Sequence, residues 1–119
     1  MLTRFLHAAL LVSDLDKAEQ FYGTVLGLTK IDRPLKYPGA WYQLGEVQIH
    51  LMADPRTQVS LTEAEKWGRN PHLAIATPDL DAMKTRLVEH GYPVQMSASG
   101  RPALFTRDPD GNVLEIGQV

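Results

Sequence analysis

A chain of 119 residues, 44% hydrophobic and 22% charged, is long enough for one domain with a real core and has an ordinary globular composition. Its net charge of -2 gives no electrostatic reason to bind nucleic acid or an anionic membrane, and no apolar run approaches the roughly 20 residues of a membrane span. With no cysteine, disulfides and thiolate ligands are excluded, a cytoplasmic location is expected, and any metal must be held by His, Asp and Glu.

The apolar stretch MLTRFLHAALLVSDLD has no small-residue cleavage site and is expected to belong to the fold. Residues 4–12 predict a strand and residues 14–26 a helix, because Leu15, Ala18, Phe21, Tyr22, Val25 and Leu26 recur at helical steps. Ser13 or Asp14 can cap that helix and Gly27 can end it. Three short strands follow, at 28–33, 40–44 and 46–52, divided by Lys36-Tyr37-Pro38-Gly39 and by Gly45. Residues 54–68 are polar and read as a linker or lid. A second strand-led stretch begins near Arg69, with Thr77 as cap and Pro78 in the first turn of a helix that runs to His90 with Leu80, Met83, Leu87 and Val88 inward. Gly91 stops it, and strands at 92–96, 102–107 and 112–117 follow, the last two joined by the turn Asp108-Pro109-Asp110-Gly111.

The two halves therefore repeat one another. HAALLVSDLD from His7 and HLAIATPDLD from His72 both place a histidine at the head of an apolar run and Asp-Leu-Asp at the same distance beyond it. Each half, 1–53 and 69–119, reads as strand, helix and three strands, so the expected fold class is α+β, a paired, closed domain. Strand alternation puts His7, His50, His72 and Glu115 on the face opposite the aliphatic one. The same number of residues separates His7 from His50 and His72 from Glu115, so each module offers two ligand-type residues at matching points. Three imidazoles and a carboxylate suit one divalent transition metal, with Fe, Ni, Zn, Co and Mn all admissible. His90 ends a helix, where its charge is favourable.

These stretches, together with FTRDPDGNVLEI near the C-terminus, resemble the vicinal oxygen chelate superfamily of glyoxalase I, extradiol dioxygenases, fosfomycin-resistance transferases, methylmalonyl-CoA epimerase and bleomycin-binding proteins. The resemblance covers essentially the whole chain. It implies paired βαβββ units forming a curved mixed sheet around one metal, with the helices outside and a cup within, and with His7, His72 and Glu115 at the usual ligand positions. His50 falls where glyoxalase I has a glutamate and the epimerase a glutamine. Leu11 and Asp54 replace the arginine and asparagine with which glyoxalase I holds glutathione, and Phe105 stands near the place of the dioxygenase tyrosine.

Two chemistries stay open. If His50 is a ligand, four protein ligands leave two positions for a small substrate chelating through adjacent oxygens, and Glu115 can take the proton beside its carbonyl, giving lyase or isomerase chemistry. That arrangement is the favoured expectation. If His50 stands off the metal, His7, His72 and Glu115 form the triad that ring-cleaving ferrous dioxygenases use, and His50 becomes an acid–base residue. Trp41, Gln43, Arg101, Phe105 and Arg107 are the substrate-binding candidates, and Tyr37 and Trp67 the candidates to cover the site. A binding protein that sequesters a drug or another small molecule without catalysis is the rival class. A homodimer is expected in each case, since a short two-module chain has open sheet edges.

Overall fold

The computed structural model describes residues 1–119, which divide into two compact units, Met1–Gln58 and Val59–Val119. The first unit runs β1 (His7–Val12), α1 (Leu15–Glu19), a π-helical turn (Gln20–Val25), β2 (Thr29–Ile31), β3 (Gly39–Leu44) and β4 (Val47–Ala53). The second runs β5 (His72–Thr77), α2 (Leu80–Glu89), β6 (Val94–Met96), β7 (Ala103–Arg107) and β8 (Val113–Gln118), with a short 3-10 turn at Trp67–Arg69 ahead of it. Each unit is thus strand, helix, three strands, as the repeat predicts.

Each unit builds its own mixed four-stranded sheet, ordered β1-β4-β3-β2 and β5-β8-β7-β6. The first and last strands of a unit pair in parallel, and the rest form antiparallel hairpins. The helix between the first and second strands of each unit makes this parallel pairing feasible, since strands running the same way need a long crossover. The register repeats as well. Ala9 and Trp41 flank His50 on its two sides, as Ala74 and Phe105 flank Glu115.

The shared Asp-Leu-Asp has a local cause. Asp14 caps α1 by accepting from the Lys17 N–H at 3.1 Å, and Asp79 caps α2 by accepting from Ala82 at 3.0 Å. Each cap contributes about 1 kcal/mol. The second aspartates, Asp16 and Asp81, lie in the first turns, where the helix dipole favours negative charge. Asp79, not Thr77, is the cap of α2, and Pro78 precedes the helix. Val88 is 57% exposed, so the inward stripe of α2 ends at Leu87.

The predicted 14–26 helix departs from α geometry after Glu19. The Leu26 N–H donates to the Phe21 carbonyl at 2.8 Å, one residue beyond the α-helical step. The wider turn still buries Phe21, Tyr22 and Val25 completely. Gly23 stands where a Cβ would already touch the Tyr42 ring at 3.4 Å.

Tyr42 lies in this core with its hydroxyl directed at Glu19, which is also ion-paired with Lys30. Burial, reinforced by the Glu19 charge and hydrogen bond, pushes the Tyr42 phenol up to about 12. Because the folded pKa is raised, the protonated phenol favours the fold fully below the unfolded value near 10. That contribution is lost as pH rises through 12. Tyr42→Phe is therefore expected to flatten the alkaline limb of thermal stability between about pH 10 and 12. Equal slopes for parent and variant in melts across that range would contradict it.

No helix of the chain is long and apolar enough to cross a membrane.

Candidate metal and substrate site

On each sheet the face turned from the helix carries the predicted residues. In the first unit, alternation on β3 sends Ala40 and Tyr42 into the core and leaves Gly39, Trp41 and Gln43 on the other face. On β4, Ile49 and Leu51 are buried while Gln48, His50 and Met52 lie opposite. The result is a stack of three rings. His7 lies on His50 with centroids 4.0 Å apart and planes within 13°, and Trp41 lies on the other face of His50 at 4.1 Å and 6°.

His50 is held in one tautomer by a directional chain. The Gln43 side-chain N–H donates to the carbonyls of Gly45 at 2.8 Å and Val47 at 3.4 Å. The Gln43 oxygen accepts from the Gln48 amide at 3.1 Å, so the Gln48 oxygen is the atom turned to His50 Nε2, 2.8 Å away. That oxygen can only accept, which puts the proton on Nε2 and leaves Nδ1 bare in the neutral ring. Burial lowers the His50 pKa, with further lowering from the charges of His7 and Arg33, and so favours the neutral form.

The second unit pairs His72 with Glu115. His72 Nδ1 is 2.6 Å from the Asn70 carbonyl and must donate to it, leaving Nε2 bare. Nε2 stands 3.6 Å from Glu115 Oε1, too far for a hydrogen bond. The Phe105 ring meets His72 edge-on at 5.6 Å. Arg101 Nη2 lies 3.5 Å from the same Glu115 oxygen, while its Nε donates to Ser99 Oγ at 3.0 Å.

A cleft of about 520 Å³ opens beside Glu115, Phe105, Arg101, Gln95, Ser97 and Ser99. Its wall includes part of the stretch predicted as a lid. Asn70, itself buried, ties that stretch down by donating to Glu63, Lys66 and Trp67 carbonyls and accepting from the Glu63 N–H. Gln95 accepts from Trp67 N–H and donates to the Glu65 carbonyl. Gly68 allows the approach, since a Cβ there would lie 2.6 Å from the Phe105 ring.

The chemistry of the donors can be tested against a divalent metal. His72 and Glu115 fit it: a bare Nε2 and a carboxylate oxygen lie close without bonding one another, and a carbonyl fixes the imidazole from behind. In the first pair the rings are stacked, so their in-plane lone pairs lie in nearly parallel planes, and with Nε2 turned to Gln48 the nitrogen that His50 has to offer is Nδ1. No group of three or more His, Asp or Glu side chains placed to hold a metal occurs; within the first unit His7 lies on His50, and within the second His72 lies near Glu115.

The remaining candidates fall into two kinds. Trp41 and Phe105 flank the key residues as apolar walls, and Arg101 borders the cleft. Gln43 commits its amide to the hairpin and to Gln48. Arg107 donates to the Gly111 carbonyl at 3.2 Å and sits 5.9 Å from the Trp67 ring, bracing the final turn. Tyr37 lies over Arg33. Gln48 and Asn70 escaped sequence reading. Gln48 sits two residues before His50 on β4, a spacing that puts strand side chains on the same face, whereas Asn70 precedes β5 and acts on His72 through its backbone carbonyl.

The sequence model of the Glyoxalase/Bleomycin resistance protein/Dioxygenase superfamily matches residues 4–116. A protein of Vibrio cholerae named "Probable lactoylglutathione lyase" is 27% identical over 124 residues, covering 97% of this chain and 90% of that one. A catechol-2,3-dioxygenase of Bacillus subtilis is 31% identical over 117 residues, covering 92% of this chain but 39% of the dioxygenase. The chain spans less than half, 44%, of a lactoylglutathione lyase from Arabidopsis thaliana. Among solved structures, a lactoylglutathione lyase from Agrobacterium tumefaciens superposes with a TM-score of 0.70 at 26% identity, covering 98% of this chain and 94% of that one.

Proposed function

The chain belongs to the Glyoxalase/Bleomycin resistance protein/Dioxygenase superfamily, and from that premise we propose that it is a metal-dependent enzyme moving a proton beside a carbonyl of a small substrate, an isomerase- or lyase-type reaction. His7, His72 and Glu115 are the ligands in this reading, and His50 is the base. A divalent ion held by these ligands would supply Lewis acidity to a carbonyl of the substrate.

The observation that carries the reading is the state of His50. Its Nε2–H is donated to Gln48, its Nδ1 is bare, and Trp41 and His7 hold the ring between them. A neutral imidazole so held accepts a proton at Nδ1 without losing the Gln48 bond. This departs from the four-ligand arrangement favoured on spacing: the Gln48 bond takes Nε2, and the reading gives the remaining nitrogen, Nδ1, to proton transfer and not to the metal. Trp41 and Phe105 offer apolar walls, and Arg101 offers charge to an anionic part of the substrate. Leu11 and Asp54 remain a reason to look beyond glutathione adducts. We also propose a homodimer: β1 and β5 are each the edge of their sheet, and Leu6 and Leu11 are 59% and 48% exposed.

The test is metal analysis of untagged protein purified without chelator, followed by proton exchange in D2O. Stoichiometric transition metal, with His50-dependent exchange of the α-protons of hydroxyacetone or of a thiol–methylglyoxal adduct, supports the reading. Oxygen uptake by the iron-loaded protein with catechol would favour ring cleavage instead. Failure to take up any metal would favour non-catalytic binding.

A further inference from the structure

Arg33 follows β2 and reaches back over the first sheet. A Cβ on Gly39 would stand 2.4 Å from the Leu51 carbonyl oxygen and 2.8 Å from both Cζ and Nη2 of Arg33, so glycine leaves room for the neighbouring strand and for the guanidinium. Gly39 and Trp41 share a face of β3, and Trp41 is the residue stacked on His50. Same-face neighbours on a strand are about 7 Å apart, which puts the guanidinium one pleat along from the His50 ring.

The hydrogen bonding of this arginine is lopsided. Nη1 donates to the carbonyls of Leu35 and Tyr37. The Tyr37 ring covers the guanidinium, 4.4 Å from Cζ. Nε and Nη2, by contrast, are shielded from solvent and have no acceptor. They are not two random leftovers. In a planar guanidinium the Nε–H and the nearer Nη2–H point the same way and form one complete side-on fork, the geometry that matches two oxygens of a carboxylate or phosphate. Leaving such donors dry and unpaired is costly, and no carboxylate of the protein answers them. Bracing the 34–38 loop accounts for Nη1 and leaves this edge unexplained. The segment that covers it, Pro34–Pro38, is itself exposed, with Tyr37 at 51%.

We propose that the Nε–Nη2 edge of Arg33 is an anion-recognition site that takes a carboxylate or phosphate group of the substrate. The inference rests on the enzymatic reading above and deepens it. The substrate would carry its anionic group about 7 Å from the part that meets His50, with Tyr37 shifting to admit it. A substrate held at both points is oriented for proton transfer, and a neutral analogue leaves the fork unanswered.

The experiment is an NMR titration of the Arg33 Nε–H signal, assigned through bonds in the intact parent protein. Inorganic phosphate is added at constant ionic strength against chloride, then acetate in a separate series. A saturable shift of this signal with either anion is expected: phosphate alone would indicate a phosphorylated substrate, acetate alone a carboxylate. Followed in parent and variants alike at the backbone N–H of Gly39, which lies under the guanidinium, Arg33→Gln is expected to weaken that binding by about 10- to 100-fold, and Arg33→Lys to restore only part, since it returns charge without the fork. A signal that both anions leave unmoved, or equal anion affinity in a folded Arg33→Gln protein, would overturn the proposal and make Arg33 a loop brace. Metal uptake is measured on the same samples. A parent that binds anion at Arg33 but takes up no metal refutes the enzymatic reading alone, and one that binds metal but no anion refutes this one alone.

Discussion

Replacing Glu115 with alanine is expected to remove the metal and leave the fold. The carboxylate sits on β8 with its side chain 16% exposed, facing His72 Nε2 and Arg101. Both neighbours keep access to water, at 24% and 56% exposure, so the deletion strands no dry charge and costs little stability. The loss to metal binding is of another order. A carboxylate and a bare imidazole nitrogen are the strongest donors in this unit. Loss of an outer hydrogen-bond partner typically weakens a metal about 10- to 100-fold, and loss of a ligand itself should exceed that. His72→Ala and His7→Ala are expected to behave likewise. Calorimetric titration with Zn(II) or Ni(II), paired with thermal melts, checks the claim. If all three variants bind metal as the parent does, the ligand assignment is wrong.

Replacing His50 should produce the opposite split: metal retained, turnover lost. A positioned general base contributes about 10²- to 10⁴-fold, so His50→Gln is expected to lower kcat by that factor with metal affinity near the parent's. Gln48→Leu should do so more mildly, because it removes the acceptor that fixes the ring's tautomer but keeps the imidazole and its two stacking partners. X-ray absorption of the metal-loaded His50→Ala protein separates the alternatives. An unchanged coordination sphere supports the base. Loss of a nitrogen donor would restore the four-ligand arrangement and return the proton-transfer role to Glu115.

Much of the architecture was legible in the chain itself. Period-two alternation assigned the faces of β1, β4, β5 and β8, and Asp14 was one of the two cap candidates for α1, because caps and alternation act over a few residues. The matched spacing of His7 with His50 and of His72 with Glu115 anticipated the matched registers, in which His50 and Glu115 stand opposite Ala9 and Ala74. Local signals were weaker where two segments compete. The π turn at Gln20–Val25 keeps the apolar spacing of a helix, and only its packing on Tyr42 distinguishes it. Thr77 and Asp79 are both good caps, and α2 begins after the second.

What the sequence determined, then, is the repeated unit, its faces and the residue types on them, since these follow from periodicity and local hydrogen bonding. What only the tertiary structure decided is the state of each functional group. The Gln43–Gln48 chain that fixes the His50 tautomer joins β3 to β4, and the dry fork of Arg33 lies over Gly39 of the next strand; the Asn70 carbonyl that bares His72 Nε2 is close in sequence, but its direction is set by the backbone leading into β5. A side chain's residue type sets which protons it can carry. Its neighbours in space, through burial and the donors and acceptors they present, decide which ones it does.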